Sequence, residues 1–240
     1  MSAFRILLAD DHPLVRLGLC SLLGSHQGWE VCGEAVDGRD AVEKYLELKP
    51  DLVILDIGMP ILNGADAARQ ILKDNPAQRI LILTDITSEK VIRDCLEAGV
   101  RGWIFKSDGT DEVTRAVEAL QQHVSLFGAR VSELMMSKYL QRRDAGPDEA
   151  KMPQLSPRER EVLQLLTESK TSREVGVILN ISAKTAETHR SNMMAKLRLH
   201  SIAELVLYAV RNEIVFVQSP VTASLPERAN GTSAHTQSLN

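Results

Sequence analysis

Four apolar runs without a polar position divide the first half of the chain: Ile6-Leu7-Leu8-Ala9, Leu52-Val53-Ile54-Leu55, Ile80-Leu81-Ile82-Leu83 and Trp103-Ile104-Phe105. Trp29 to Val36 supplies a fifth, mixed run. Continuous apolar runs of this length predict strands buried on both faces, which is the habit of parallel sheets. Between them, Leu14 to Leu23, Ala41 to Leu48, Ala65 to Leu72, Val91 to Ala98 and Val113 to Leu120 space their apolar residues with a helical period. Strand and helix alternate five times, which predicts a doubly wound, five-stranded parallel α/β sheet of order 2-1-3-4-5, covered by helices on both faces. Pro13 suits the first turn of its helix, and Asp37-Gly38, Asn63-Gly64 and Asp108-Gly109 punctuate element ends.

The second half reads differently. Ser156-Pro157-Arg158-Glu159 places an N-cap Ser, a Pro at the first helical position and a Glu three residues on, and Thr171 with Glu174 and Ser201 with Glu204 repeat the spacing. With a further helix from Ala183 to about Leu197, entered through Asn180-Ile181-Ser182, residues 152–217 predict a small all-α domain of four helices. Its middle two form a helix-turn-helix. Residues 1–122 are then the α/β domain. Residues 123–151 are a linker with a possible short helix around Val131 to Leu140, and 218–240, rich in Ser, Thr, Ala and Pro, are expected to be disordered.

Composition adds limits. No apolar stretch approaches the about 20 residues that span a bilayer, and Met1 to Ile6 lack a signal-peptide layout, so a cytoplasmic protein without a membrane partner is expected. Cys20, Cys32 and Cys95 have no metal-ligand spacing and read as small buried hydrophobes. The net charge of -4 hides an asymmetry: residues 1–122 carry -7 and residues 152–217 carry +2. The two halves meet different partners.

Asp10 and Asp11, Asp56, Thr84 and Lys106 all stand at the C-terminal ends of apolar runs, where open parallel sheets bind their ligands. The order 2-1-3-4-5 brings Asp10, Asp11 and Asp56 together. Carboxylates that close repel one another, and a hard cation such as Mg²⁺, taking about six oxygens, relieves them. Asp11 and Asp56 would ligate it, Asp10 would act through water, and the Gly58 carbonyl would add a backbone oxygen. One carboxylate oxygen of Asp56 remains as a nucleophile, with Thr84 and Lys106 positioned to hold phosphoryl oxygens.

Ala9-Asp10-Asp11-His12-Pro13-Leu14-Val15-Arg16, Leu55-Asp56-Ile57-Gly58-Met59-Pro60 and Phe105-Lys106 resemble the receiver domain of bacterial response regulators. The resemblance implies phosphorylation of Asp56 by a sensor histidine kinase, with Thr84 and Lys106 responding. It also implies that Trp103, three residues before Lys106, is the aromatic switch; a large packing residue is the other reading. Receivers usually have a small residue after the Thr, and here it is Asp85. A carboxylate at that rim repels anionic phosphodonors and predicts slow phosphorylation by acetyl phosphate.

From Lys184 to Arg198 the charge is +3, and Lys184, Glu187, Thr188 and Ser191 share one polar helix face, with Ala186, Met193 and Leu197 opposite. Glu187, Thr188 and Ser191 are candidate base readers; Lys184, Thr185, His189 and Arg190 are candidate phosphate contacts on double-stranded DNA. Leu155 to Leu163 and Ser182 to Arg190 resemble the LuxR-type DNA-binding domain, so the whole layout resembles the NarL/FixJ class of response regulators. That implies a homodimer when active, with the last helix as its seam through Leu205, Val206, Ala209 and Val210, although core packing would also explain that stripe. RNA polymerase is a possible further partner. Arg198 occupies a helix end where the family commonly has Gly, and a different helix end is expected because positive φ would strain Arg.

The function expected is a non-enzymatic, phosphorylation-controlled transcription regulator, in which the receiver masks the recognition helix or withholds the dimer until Asp56 is modified. A phosphate-independent regulator of the same fold is the alternative. A phosphatase with an Asp nucleophile is disfavoured, because the position of its general acid is taken by Gly58.

Overall fold

The computed structural model describes residues 3–141 and 155–216. The expected linker residues 142–151 and tail 218–240 lie outside these. Strands β1 (Phe4–Ala9), β2 (Trp29–Ala35), β3 (Leu52–Leu55), β4 (Arg79–Thr84) and β5 (Gly102–Phe105) alternate with helices α1 (Pro13–Gly24), α2 (Gly38–Leu48), α3 (Gly64–Asp74), α4 (Glu89–Ala98) and α5 (Thr110–Gln121). The sheet is parallel, but it has six strands in the order β2-β1-β3-β4-β5-β6. The sixth, β6 (Leu126–Phe127), joins the edge beside β5, and α6 (Ala129–Gln141) follows it. Two residues are too short to register as a strand by periodicity. They pair because β5 otherwise ends the sheet with open backbone groups.

Local chemistry explains the boundaries. Asp37, Asn63 and Ser88 accept backbone N–H groups at the starts of α2, α3 and α4. Every residue of β3 and β5 is buried. Leu7, Val53, Ile80 and Ile82 point into a core shared with α3 and α4, while Ile6, Ile54, Leu81 and Ile104 point into a second core shared with α1 and α5. Each such side chain stabilises the fold by about 1.5–3 kcal/mol. Val131 of α6 is fully buried against the first core, and Phe127 and Leu134 pack there too. The segment after residue 122 is therefore partly built into the α/β domain.

The helical domain comprises α7 (Pro157–Thr167), α8 (Ser172–Ile178), α9 (Ala183–Leu197) and α10 (Ile202–Arg211). Ser156 with Glu159 and Thr171 with Glu174 form reciprocal capping boxes. A Cβ on Gly176 would sit 2.8 Å from the Ile181 carbonyl, so only Gly lets the turn between α8 and α9 close. The α9 helix ends in Arg198 at φ 56 and ψ 43. The different helix end expected for this Arg does not occur: the chain takes the left-handed turn there, because the Arg198 and Leu199 amides close onto the Ala195 and Met194 carbonyls.

Candidate functional site

Parallel pairing of β1 with β3 aligns Ala9 with Leu55, so the residues that follow, Asp10 and Asp56, stand side by side. Both are buried, at 1% and 4% exposure. Lys106, following β5, reaches across: its Nζ lies 2.8 Å from Asp10 Oδ2 and 3.1 Å from Asp56 Oδ2. The Ile57 amide donates to Asp56 Oδ1 at 2.7 Å, and the His12 amide donates to Asp10 Oδ1 at 2.8 Å. Burial holds the Asp10 carboxyl above the usual carboxylate range, against the pull of Lys106. For Lys106 burial acts to lower the pKa, but Asp56 and Asp10 together outweigh it and hold the ammonium above its ordinary value.

Ligand atoms of Asp10, Asp11, His12 and Asp56 all lie within 4.8 Å of one another. Three carboxylates face one ammonium here, so this donor set fits a divalent cation, with oxygen donors suited to Mg²⁺. His12, whose Nδ1 is 2.9 Å from Asp11 Oδ1, is a neighbour that sequence reasoning passed over. Its place directly after the acidic pair was the available signal. Gly58 lies on the loop after Asp56, and a Cβ there would be 3.7 Å from Asp56 Oδ2.

Thr84 closes β4, is fully buried and accepts the Ile86 amide at 3.3 Å. Asp85 beside it is exposed. Trp103 lies wholly in the core, set edge-on to Phe105 with ring centroids 6.5 Å apart. Its indole N–H has no hydrogen-bond partner among the described residues.

On α9, Lys184, Thr185, Glu187, Thr188 and Ser191 are exposed and His189 and Arg190 half-buried, while Ala186 and Met193 face the helical core. Thr188 Oγ1 donates back to the Lys184 carbonyl at 2.9 Å, and Thr185 Oγ1 is 2.7 Å from Ser182 Oγ. Among the described residues the receiver does not cover this face, so of the two expected forms of control, masking the recognition helix or withholding the dimer, the first is not seen; the α/β domain meets α7 instead. The stripe expected to form a dimer seam divides. Leu205 and Ala209 are 0% exposed and belong to the core, because α10 turns that face toward α7. Val206 is half-buried, and Val210 is exposed together with Ile202 and Leu207.

Sequence reasoning also passed over Glu161, Gln164 and Glu168, a polar stripe along α7 and its C-cap: Gln164 and Glu168 meet the loop after Asp56, and Glu161 accepts the Gln70 side-chain amide of α3. Their spacing of three and four marks a common helix face, but nothing in it distinguishes a docking face from a solvated one.

Residues 6–118 match the response regulator receiver domain, and residues 153–209 match the bacterial regulatory proteins of the luxR family. Among curated proteins, the response regulator protein VraR of Staphylococcus saprophyticus is 31% identical over 88% of this chain and 98% of its own length. That of Staphylococcus aureus is 32% identical over the same shares. A LuxR-family two-component response regulator from Aurantimonas sp. superposes with a TM-score of 0.55 at 32% identity, over 58% of this chain and 99% of that one. The response regulator RcsB of Salmonella typhimurium gives 0.53 at 26% identity over 87% and 98%, and an RcsB–DNA complex gives 0.53 at 25% over 86% and 98%.

Proposed function

Because this chain belongs to the response regulators that join a receiver to a LuxR-type DNA-binding domain, we propose that phosphoryl transfer to Asp56 from a sensor histidine kinase controls its dimerisation and its binding to double-stranded DNA. The observation that carries the reading is the Lys106 ammonium shared between Asp10 and Asp56 at the carboxyl ends of parallel strands. A carboxylate oxygen of Asp56 attacks phosphorus while the bond from phosphorus to the kinase's histidine nitrogen breaks, the bonding pair returning to that nitrogen. Lys106 and the Thr84 hydroxyl hold the transferred oxygens, which positions the group and neutralises its charge. Asp11, Asp56, the Gly58 carbonyl and, through water, Asp10 would hold Mg²⁺, which supplies further charge neutralisation when bound.

Engagement of Thr84 by the phosphoryl group shifts the packing around Trp103. Dimer contact through the open side of α10, at Val206 and Val210, brings two α9 helices to successive major grooves. There Glu187, Thr188 and Ser191 read bases while Lys184, Thr185, His189 and Arg190 contact phosphates. The protein acts in the cytoplasm and is not an enzyme; among the described residues no helix is long and apolar enough to cross a membrane. The test is dimerisation and DNA affinity with the phosphate mimic beryllofluoride, in the wild type and in Asp56→Ala. Both properties should rise with the mimic in the wild type alone. The exposed Asp85 at the rim of the site favours one alternative, a regulator that works without phosphate; unchanged dimerisation and affinity would select it.

A further inference from the structure

Glu187 stands exposed on the open face of α9. Among the described residues its carboxylate takes part in no hydrogen bond and no ion pair, although Lys184 lies three residues before it and Arg190 three residues after, both neighbours on a helix surface. Thr188 beside it spends its hydroxyl hydrogen on the Lys184 carbonyl, at 2.9 Å, and so supplies none to the acid. Every other acidic side chain between residues 155 and 216 is engaged, Glu159 by Lys196, Glu174 by the Thr171 amide and Glu204 by the His200 amide among them. Glu187 is thus set apart from all the other acids of its domain.

Its position is costly against a duplex. From Lys184 to Arg198 the helix carries +3 in spite of this residue, so the face is drawn to DNA, and a carboxylate within that face meets repelling phosphates unless a donor receives it. In the major groove the base edges offer two kinds of donor, the N4 amino group of cytosine and the N6 amino group of adenine. Adenine sets its N7 acceptor beside that amino group, while guanine and thymine offer acceptors only, so all three turn lone pairs toward a carboxylate. Cytosine presents a donor and no acceptor.

We propose that Glu187 is the specificity-determining residue of α9 and that it selects cytosine, its carboxylate accepting a hydrogen of the N4 amino group of one C·G pair in each half-site. Lys184 and Arg190 hold the adjoining phosphates and offset the repulsion that the acid brings. Since the carboxylate has no partner to give up first, it reaches the base without breaking an ion pair. The inference rests on α9 being the helix that enters the major groove.

The test uses the full chain with Mg²⁺ and beryllofluoride and selects binding sites from random duplexes. The wild type should return sequences in which one position of each half-site is fixed as cytosine. In Glu187→Gln that position should turn to adenine, whose N6 and N7 a side-chain amide meets with an acceptor and a donor, and in Glu187→Ala it should accept all four bases alike. Replacing that cytosine by a pyrimidinone that lacks the amino group should weaken the wild type about tenfold, in the lower part of the range for one mismatched pair, and leave Glu187→Ala unchanged. Base preferences that are the same in wild type, Glu187→Gln and Glu187→Ala overturn the proposal while leaving α9 as the reading helix. Uniform tightening of Glu187→Ala on every duplex, with its preferences intact, also overturns it, because the acid then only repels phosphates. No enrichment of any sequence by the wild type brings down the DNA reading and the proposal with it. Should the variants fold poorly, the pyrimidinone duplexes and the unaltered chain decide: undiminished affinity at every cytosine of the site is the overturning result.

Discussion

Asp10, Asp56 and Thr84 are buried and already engaged by neighbours, whereas Lys184, Thr185, Glu187, Thr188 and Ser191 stand open to solvent on α9. The first group does chemistry on one small anion, so it gains from a low-dielectric setting in which charges are held in place beforehand. The second must meet a large partner, so its side chains stay exposed and satisfy themselves locally, as Thr188 does on the Lys184 carbonyl. Burial thus separates a reacting site from a reading surface in one chain. The α7 stripe belongs to neither class: Gln164 is as buried as Asp56, yet it bonds the Met59 carbonyl and the Asn63 amide of another domain as well as the Asn63 and Glu168 side chains.

The largest expected effect breaks the receiver half of the comparison outright. Asp56→Asn, or removal of divalent cations with EDTA, should abolish acyl-phosphate formation, read by radiolabel from phosphoramidate, while basal DNA binding persists. On the other side, Thr188→Ala should cost about 1–3 kcal/mol on a preferred duplex and relax selection at one base position. Lys184→Ala should instead weaken all duplexes alike and lower the salt slope by about one; identical behaviour of the two variants in a salt series would remove the division between reading and anchoring.

A smaller effect concerns the rim. Asp85→Ala should speed phosphorylation by acetyl phosphate about tenfold, the lower end of electrostatic steering effects, and the gain should shrink with added salt. The smallest effects are on stability. Burial raises the Asp10 carboxyl pKa, so its ionisation opposes folding at neutral pH. Asp10→Asn should therefore stabilise the metal-free chain by about 1 kcal/mol at pH 7, as substitutions that relieve functional sites do. That gain should fade as the pH drops through the raised pKa toward the ordinary carboxylate value, where the native Asp10 is neutral too. Arg198→Gly should add about 0.5–1 kcal/mol by relieving the left-handed turn, seen as a higher Tm with unchanged DNA affinity.

Much of this was legible beforehand because parallel strands are buried on both faces and announce themselves as unbroken apolar runs. The Asp10, Asp56 and Lys106 cluster was legible for the same reason, since the ends of those runs fix where the side chains emerge. Less was legible where the signal was short or two-sided. Leu126–Phe127 is two residues long, and the apolar positions of α10 fit a core or a seam equally well until the packing against α7 showed Leu205 and Ala209 facing inward. Arg198 looked incompatible with its turn, yet the surrounding hydrogen bonds impose that conformation.

Periodicity and capping along the chain by themselves determined the five longer strands, their parallel α/β order, the helix-turn-helix and the gathering of Asp10, Asp56 and Lys106 at one edge of the sheet, since all of these follow from local spacing and from which end of a strand a residue occupies. Only the tertiary structure decided that Gln164 and Glu168 grip the loop after Asp56 and that the α9 face stays open. The reason is physical: that interface is made largely of polar side chains bonded to backbone groups and to one another. Such bonds leave no apolar pattern in the sequence, and on α7 the same residues would suit solvent equally well.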